Sequence, residues 1–304
     1  MNQKIFITGG SGLLALNWAI SMRDRADVIL NMNNRDINLR GSVSKKINLN
    51  SISSIINFLE SDKPNYVVHA AGMTNVEECE KNPNLAHKIN VGLTDNVARA
   101  CKDMKIPLIH ISSDHLFDGK SSLADEKKLL SPLNVYGKTK AEAEEKVLSL
   151  NSNNLVVRTN FYGWGMKYRI SLSDFIFNAL SNNQKIVLFK DIFFTPILIE
   201  VLVKRTMELI DKGAKGIFHI TGDDRVSKYD FGLLLADEFG FNPNLIEKGF
   251  IAEKKELVRR PRDMSLSNLK VSEFLGVKIG SLHSHLHLLH KQKNLGIDKE
   301  INIL

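Results

Sequence analysis

The chain has 304 residues, a formal net charge of +7, 43% hydrophobic and 25% charged residues. That is long and apolar enough for one large α/β domain, or a domain with a smaller lobe, and it excludes a disordered chain. No apolar run approaches the roughly 20 residues that span a bilayer, and the basic residues are scattered with no arginine-rich, aromatic-interleaved block, so the charge suits an anionic small molecule rather than nucleic acid or a membrane. Strand-like residues begin so soon after Met1 that no secretion signal is expected. Cys79 and Cys101 lack zinc spacing and read as reduced thiols of a cytoplasmic protein.

In chain order, residues 4–8 read as a strand, 13–23 as a helix, 28–30 as a strand and 46–49 as a short third strand. A helix over 52–59, a strand over 66–69, a long helix over 85–104 and a strand over 107–111 follow. A helix over 135–148 and a strand over 155–158 complete the alternation. This rhythm predicts a doubly wound parallel sheet covered by helices on both faces. Beyond about residue 160 it loosens. Strands are expected at 186–188 and 216–220, helices after Thr195-Pro196 through Ile210, over 225–240 and over 280–292, and an exposed charged loop over 253–263. Residues 1–165 are therefore expected to form a Rossmann domain, with elements near 197–222 returning to it, and 166–304 mainly a smaller C-terminal substrate-binding lobe.

Thr8-Gly9-Gly10-Ser11-Gly12-Leu13-Leu14-Ala15 lies between the first strand and the first helix. Gly9 permits a tight turn, Gly12 lets the backbone approach a pyrophosphate, and Ala15 still allows close helix–strand packing. The free N–H groups of the helix start then face phosphates. At the end of the second strand no acid precedes Asp36, whereas Arg35 could pair with a 2′-phosphate; NADP(H) is favoured over NAD(H), with Arg35 as a plain surface charge the alternative.

Tyr136 and Lys140 are spaced i, i+4 at the start of a helix and share one face. A neighbouring ammonium would lower the phenol pKa, and the pair would suit proton delivery to a carbonyl during hydride transfer. Such spacing is common by chance; its place after the fifth strand gives it weight. Ser113, 23 residues before Tyr136, offers a hydroxyl to hold that carbonyl; a serine that only caps a strand end is the alternative.

Together, Ser112-Ser113-Asp114-His115-Leu116-Phe117-Asp118-Gly119 and Ser131-Pro132-Leu133-Asn134-Val135-Tyr136-Gly137-Lys138-Thr139-Lys140 resemble the extended short-chain dehydrogenase/reductases, in particular the dTDP-4-dehydrorhamnose reductase group with its related regulatory β subunit of methionine adenosyltransferase. His69-Ala70-Ala71-Gly72-Met73-Thr74, Arg158-Thr159, Ser227-Lys228-Tyr229 and Arg260-Pro261-Arg262 also match, so the resemblance covers nearly the whole chain. It implies a catalytic Ser113, Tyr136 and Lys140. It implies a cofactor site of Gly9, Ser11, Gly12, Leu13, Leu14, Asn33, Arg35, Asn48, Leu49, Ala70, Ala71, Gly72, Thr74, Tyr136 and Lys140. The implied substrate residues are Thr74, Val76, Glu77, Ser113, Asp114, His115, Phe161, Arg260 and Arg262, the two arginines suiting a diphosphate.

The implied activity is NAD(P)H-dependent reduction of a nucleotide-linked 4-keto-6-deoxy sugar, in activated-sugar biosynthesis for surface polysaccharide, with a homodimer as the candidate assembly. The rivals are a sugar-nucleotide epimerase and a non-catalytic NADP-binding regulatory subunit. Three departures from the family pattern bear on this: His115 stands for a tyrosine, Phe161 for a tryptophan, and Asn48-Leu49-Asn50 for the aspartate that meets adenine. His283, His287 and His290 would share a helical face beside a stripe of Leu282, Leu286 and Leu289, and read with His285 as a solvated face rather than a metal site. Glu78 and Glu80 read as charges at a helix N-terminus.

Overall fold

The computed structural model describes residues 3–254 and 256–304. Met1 and Asn2, on which the absence of a secretion signal partly rests, and Lys255, inside the expected 253–263 loop, lie outside the described residues. The first half alternates as β1 (Gln3–Thr8), α1 (Leu13–Met22), β2 (Ala26–Met32), β3 (Ser42–Lys46), α2 (Ile52–Asp62) and β4 (Tyr66–His69). Then come α3 (Val76–Lys81), α4 (Pro83–His87), α5 (Leu93–Asp103), β5 (Leu108–Ile111), α6 (Val135–Leu150) and β6 (Leu155–Arg158). The second half holds β7 (Phe161–Tyr162), α7 (Leu172–Ser181), β8 (Ile186–Phe189), β9 (Phe193–Phe194), β10 (Ile197–Leu198), α8 (Ile199–Asp211) and β11 (Gly216–His219). It ends with β12 (Val226–Ser227), α9 (Lys228–Phe239), β13 (Ile246–Gly249), α10 (Leu269–Leu275), α11 (Leu282–Asn294) and α12 (Ile297–Asn302).

Seven parallel strands form the main sheet in the order β11-β6-β5-β4-β1-β2-β3. Its strands are apolar at successive positions because both faces are buried. Ile5 and Ile7 of β1, Val28 and Leu30 of β2 and Ile109 and Ile111 of β5 enter one core with α1 and α8, while Phe6, Ile29 and Leu108 enter the other with α2, α5 and α6. Each such side chain contributes about 1.5–3 kcal/mol. The chain leaves β1 toward β2 and β3, then returns to β4 on the other side, so the sheet has a switch point between β1 and β4, where ligands of open α/β sheets bind. The remaining strands make three two-stranded pairs, β7 with β10, β8 with β13 and β9 with β12. No helix among the described residues is long and apolar enough to cross a membrane.

The third strand lies at 42–46, not 46–49. β3 is an edge strand with little to bury, Val43 being exposed, and its pairing ends where the Asn31 side chain accepts the Ile47 N–H. The apolar Ile47 and Leu49 pack instead against the core under α2 and α5. The expected 85–104 helix is broken by a π-helical turn at Lys88–Gly92, which turns Asn90 inward to bond Met73 and Thr139. Sequence reasoning passes over α7, whose start is specified by a capping box of Ser171 and Asp174, and over α10 and α12. Ile197 and Leu198, expected in a helix, pair as β10, and the 225–240 helix starts after the β12 pairing of Val226 and Ser227. Within the expected exposed loop, Pro261 and Asp263 are buried, Asp263 paired with Arg225 at 2.6 Å. Glu80 is not a first-turn residue of α3 but accepts the Val135 N–H at the start of α6. On α11 the leucine stripe is buried, and so is His285, at 3.3 Å from the Ile279 carbonyl, rather than solvated; His287 and His290 both contact Glu238.

Candidate active site

The carboxyl ends of β1, β2, β4, β5 and β6 open onto a cleft of about 1270 Å³. That exceeds a pocket for one drug-sized ligand and leaves room for a dinucleotide and a second molecule. At one end lies the glycine-rich turn. Gly9 has φ +71°, and a Cβ there would stand 2.9 Å from the Ala71 backbone. Gly10, which sequence reasoning passes over, is pressed against β2, where a Cβ would meet the Asn31 carbonyl at 2.8 Å. The turn delivers the chain to α1, which starts after Gly12 with no side-chain cap and no acid in its first turn. An uncapped helix start lined by backbone alone fits a phosphate anion. The Thr8 hydroxyl accepts the Ala70 and Ala71 N–H groups, which holds the end of β4 against this turn. Arg35 stands beyond β2 on the same cleft.

The other end of the cleft carries the reactive groups. Asn134 caps α6 by accepting the Gly137 N–H at 2.9 Å, and this sets Tyr136 in the first turn. Burial pushes the Tyr136 phenol up to about 12; Asp114 and Cys79 act in the same direction, against the Ser113 hydroxyl and Arg169. The expected lowering by Lys140 is absent. Although Tyr136 and Lys140 share a helical face, the Lys140 Nζ turns to the sheet, donating to the Ile111 carbonyl at 2.7 Å and lying 3.4 Å from His110 Nε2. Burial lowers the Lys140 ammonium to about 8, partly opposed by Glu144. The phenol is thus protonated at neutral pH, which is the form a proton donor needs.

Ser113 is buried at the end of β5, donating to Asp114 Oδ1 and accepting the His115 N–H, both at 3.2 Å. The other Asp114 oxygen accepts from the Asn160 amide. The Lys228 Nζ sits over the Phe194 ring, 3.2 Å from its centre; burial lowers it to about 8, opposed by Asp114. The His115 ring meets Tyr136 edge-on at 5.5 Å, and burial lowers its pKa. Ser112 Oγ, His115 Nδ1 and Thr159 Oγ1 are buried here with no partner among the described residues. Such atoms cost free energy that a hydroxyl-rich ligand would recover.

Every residue expected to bind cofactor lines the cleft. Of the expected substrate residues, Thr74, Val76, Ser113, Asp114, His115 and Phe161 line it, and Glu77, Arg260 and Arg262 do not. Glu77 is paired with Arg260, and Arg262 is exposed, its backbone packed against Gly119. Sequence reasoning missed Tyr168 and Arg169, which line the cleft from a loop without a motif, and Asn160 and Lys228, which had a signal in their place beside matching segments.

A family model described as the RmlD substrate binding domain matches residues 3–294. A probable low-salt glycan biosynthesis reductase, Agl14, of Haloferax volcanii is 26% identical over 288 residues, 93% of this chain and 96% of that protein. A dTDP-4-dehydrorhamnose reductase of Aggregatibacter actinomycetemcomitans is 28% identical over 291 residues, 90% and 94% of the two chains. The methionine adenosyltransferase 2 subunit beta of Pongo abelii is 27% identical over 286 residues, 91% and 83% of the two chains. Among solved structures, a dTDP-4-dehydrorhamnose reductase of Bacillus anthracis in complex with NADP superposes with a TM-score of 0.84 at 21% identity, covering 96% of this chain and 100% of that one.

Proposed function

The chain belongs to the RmlD substrate binding domain family, and from that premise we propose that it is an NADPH-dependent reductase of a nucleotide-linked 4-ketosugar. The observation that carries the reading is the pairing, in one cleft, of an uncapped glycine-cradled helix start with a buried, protonated phenol. The glycan biosynthesis reductase and the dTDP-4-dehydrorhamnose reductase among its relatives support it.

Gly9, Ser11 and Gly12 would hold the cofactor diphosphate, Arg35 the 2′-phosphate, and Ala70, Ala71 and Thr74 the wall of the site. The cofactor supplies the hydride. Ser113 holds the ketone oxygen, and Tyr136 gives it a proton as the keto carbon is reduced. The charge left on the phenolate is met by the cations of Lys140 and Arg169. Arg260 and Arg262 stand at the lobe that would take the sugar-nucleotide diphosphate. Such an enzyme would work in the cytoplasm, supplying activated sugar for a surface polysaccharide.

The test is NADPH and NADH oxidation, followed by absorbance, with a panel of nucleotide-linked 4-ketosugars. Oxidation with one of them establishes the reductase and names its substrate. Tight dinucleotide binding without oxidation across the panel would defeat this reading in favour of an epimerase or a regulatory subunit.

A further inference from the structure

Residues 166–170 cross the mouth of the cleft as a tight turn, with the Met166 and Arg169 backbones bonded to each other in both directions at 3.2 and 2.9 Å. Both ends of the turn are fixed. Met166 is fully buried, and Gly165 lets the turn close, since a Cβ there would stand 2.4 Å from the Arg169 carbonyl. On the far side Ser171 caps α7 and donates to the Gly163 carbonyl at 2.7 Å. The tip is therefore presented by rigid neighbours, and its contacts all go to the opposite wall.

The Tyr168 hydroxyl donates to the Ser11 carbonyl in the glycine-rich turn at 3.1 Å. The Arg35 guanidinium lies flat over the Tyr168 ring, 3.7 Å from its centre. The Arg169 guanidinium donates to the Thr74 hydroxyl. Arg35 has no acidic partner among the described residues, the adjacent Asp36 being paired with Lys46. Its charge is thus uncompensated, and its long side chain is held in one position by the ring. A cation held this way loses less freedom when it takes a ligand.

We propose that Tyr168 is a cofactor-specificity residue, which pins Arg35 beside the phosphate-binding turn so that its guanidinium takes the 2′-phosphate of NADP(H). This rests on the reading of the cleft as a dinucleotide site. The discriminating group comes from the C-terminal half of the chain, 133 residues after the arginine it positions.

The test is calorimetric binding of NADP⁺ and NAD⁺ to the wild type and to Arg35→Ala, Tyr168→Ala and Tyr168→Phe, with melting temperatures as a check on folding. Tyr168 is 37% exposed, so its variants should fold. The wild type should prefer NADP⁺, and Arg35→Ala should bind both dinucleotides alike. Tyr168→Ala should weaken NADP⁺ about fivefold while NAD⁺ changes by less than about twofold, and Tyr168→Phe, which keeps the ring under the guanidinium, should keep most of the preference. Equal weakening of both dinucleotides by Tyr168→Ala, or no weakening of either, would overturn the proposal while a selective Arg35→Ala leaves the NADP(H) reading standing. A wild type that does not discriminate would overturn the NADP(H) reading itself.

Discussion

Replacing Lys140 by Met should make the protein more stable at neutral pH and inactive. The Lys140 side chain is 7% exposed, and the fall of its pKa from 10.5 to about 8 corresponds to roughly 3 kcal/mol spent on holding the ammonium in the interior. Methionine keeps the unbranched apolar stem and removes the charge, but gives up the bond to the Ile111 carbonyl, a loss of about 1.5–3 kcal/mol. The balance at pH 7 is a gain of about 1 kcal/mol, or about 1–3 °C in melting temperature. The pH dependence is the sharper test. Below pH 8 both the folded and the unfolded wild type carry the proton, and the full penalty is present. As pH rises from about 8 toward 10.5, the folded state sheds it first, so the wild type gains on the variant. By pH 10 the order should reverse, because neutral Lys140 still donates to Ile111. Melting temperatures of the two proteins at intervals from pH 6 to 10 report the difference, in which groups common to both cancel. A variant less stable at pH 7, or a gap that does not change with pH, would refute the reasoning.

Tyr136→Phe should lower turnover by about a hundredfold or more and leave dinucleotide affinity unchanged, since only the hydroxyl is removed; single-turnover kinetics and calorimetry separate the two. Gly9→Ala must place a Cβ at φ +71° against the Ala71 backbone, and should cost at least about 1–2 kcal/mol in urea unfolding together with a loss of NADP⁺ binding. Glu144→Ala would strand Arg158, whose guanidinium makes three bonds of 2.7 to 3.1 Å to that carboxylate with both side chains 3% exposed. It should destabilise by about 3–5 kcal/mol in chemical denaturation, whereas a change below about 1 kcal/mol would mean that the site relaxes around the loss.

Much of the sheet is legible in the sequence because β1, β4, β5 and β6 are short runs of apolar residues buried on both faces, a pattern that helices of this chain do not share. β3 is not, since an edge strand needs few apolar residues and its neighbours Ile47 and Leu49 are the more apolar pair. The cofactor cradle is legible for a local reason: Gly9 to Leu14 lie together in the chain, between a strand and a helix, and their chemistry is that of their own backbone. Tyr136 and Lys140 are legible as a spacing, but the direction of the phenol pKa is not. That depends on how deeply α6 is buried and on which acceptor the Lys140 ammonium finds, and the acceptor comes from β5, 29 residues away.

The sequence by itself determined the alternation of elements, the phosphate-binding turn and the Ser113, Tyr136 and Lys140 positions, because each is set by local periodicity and by residues close together in the chain. Only the tertiary structure decided that Arg260 is paired with Glu77, 183 residues apart, and that Tyr168 reaches Ser11 across 157 residues. Partners so far apart meet only after the sheet has closed and the second half of the chain has packed across its carboxyl edge, and nothing in local propensity encodes that encounter.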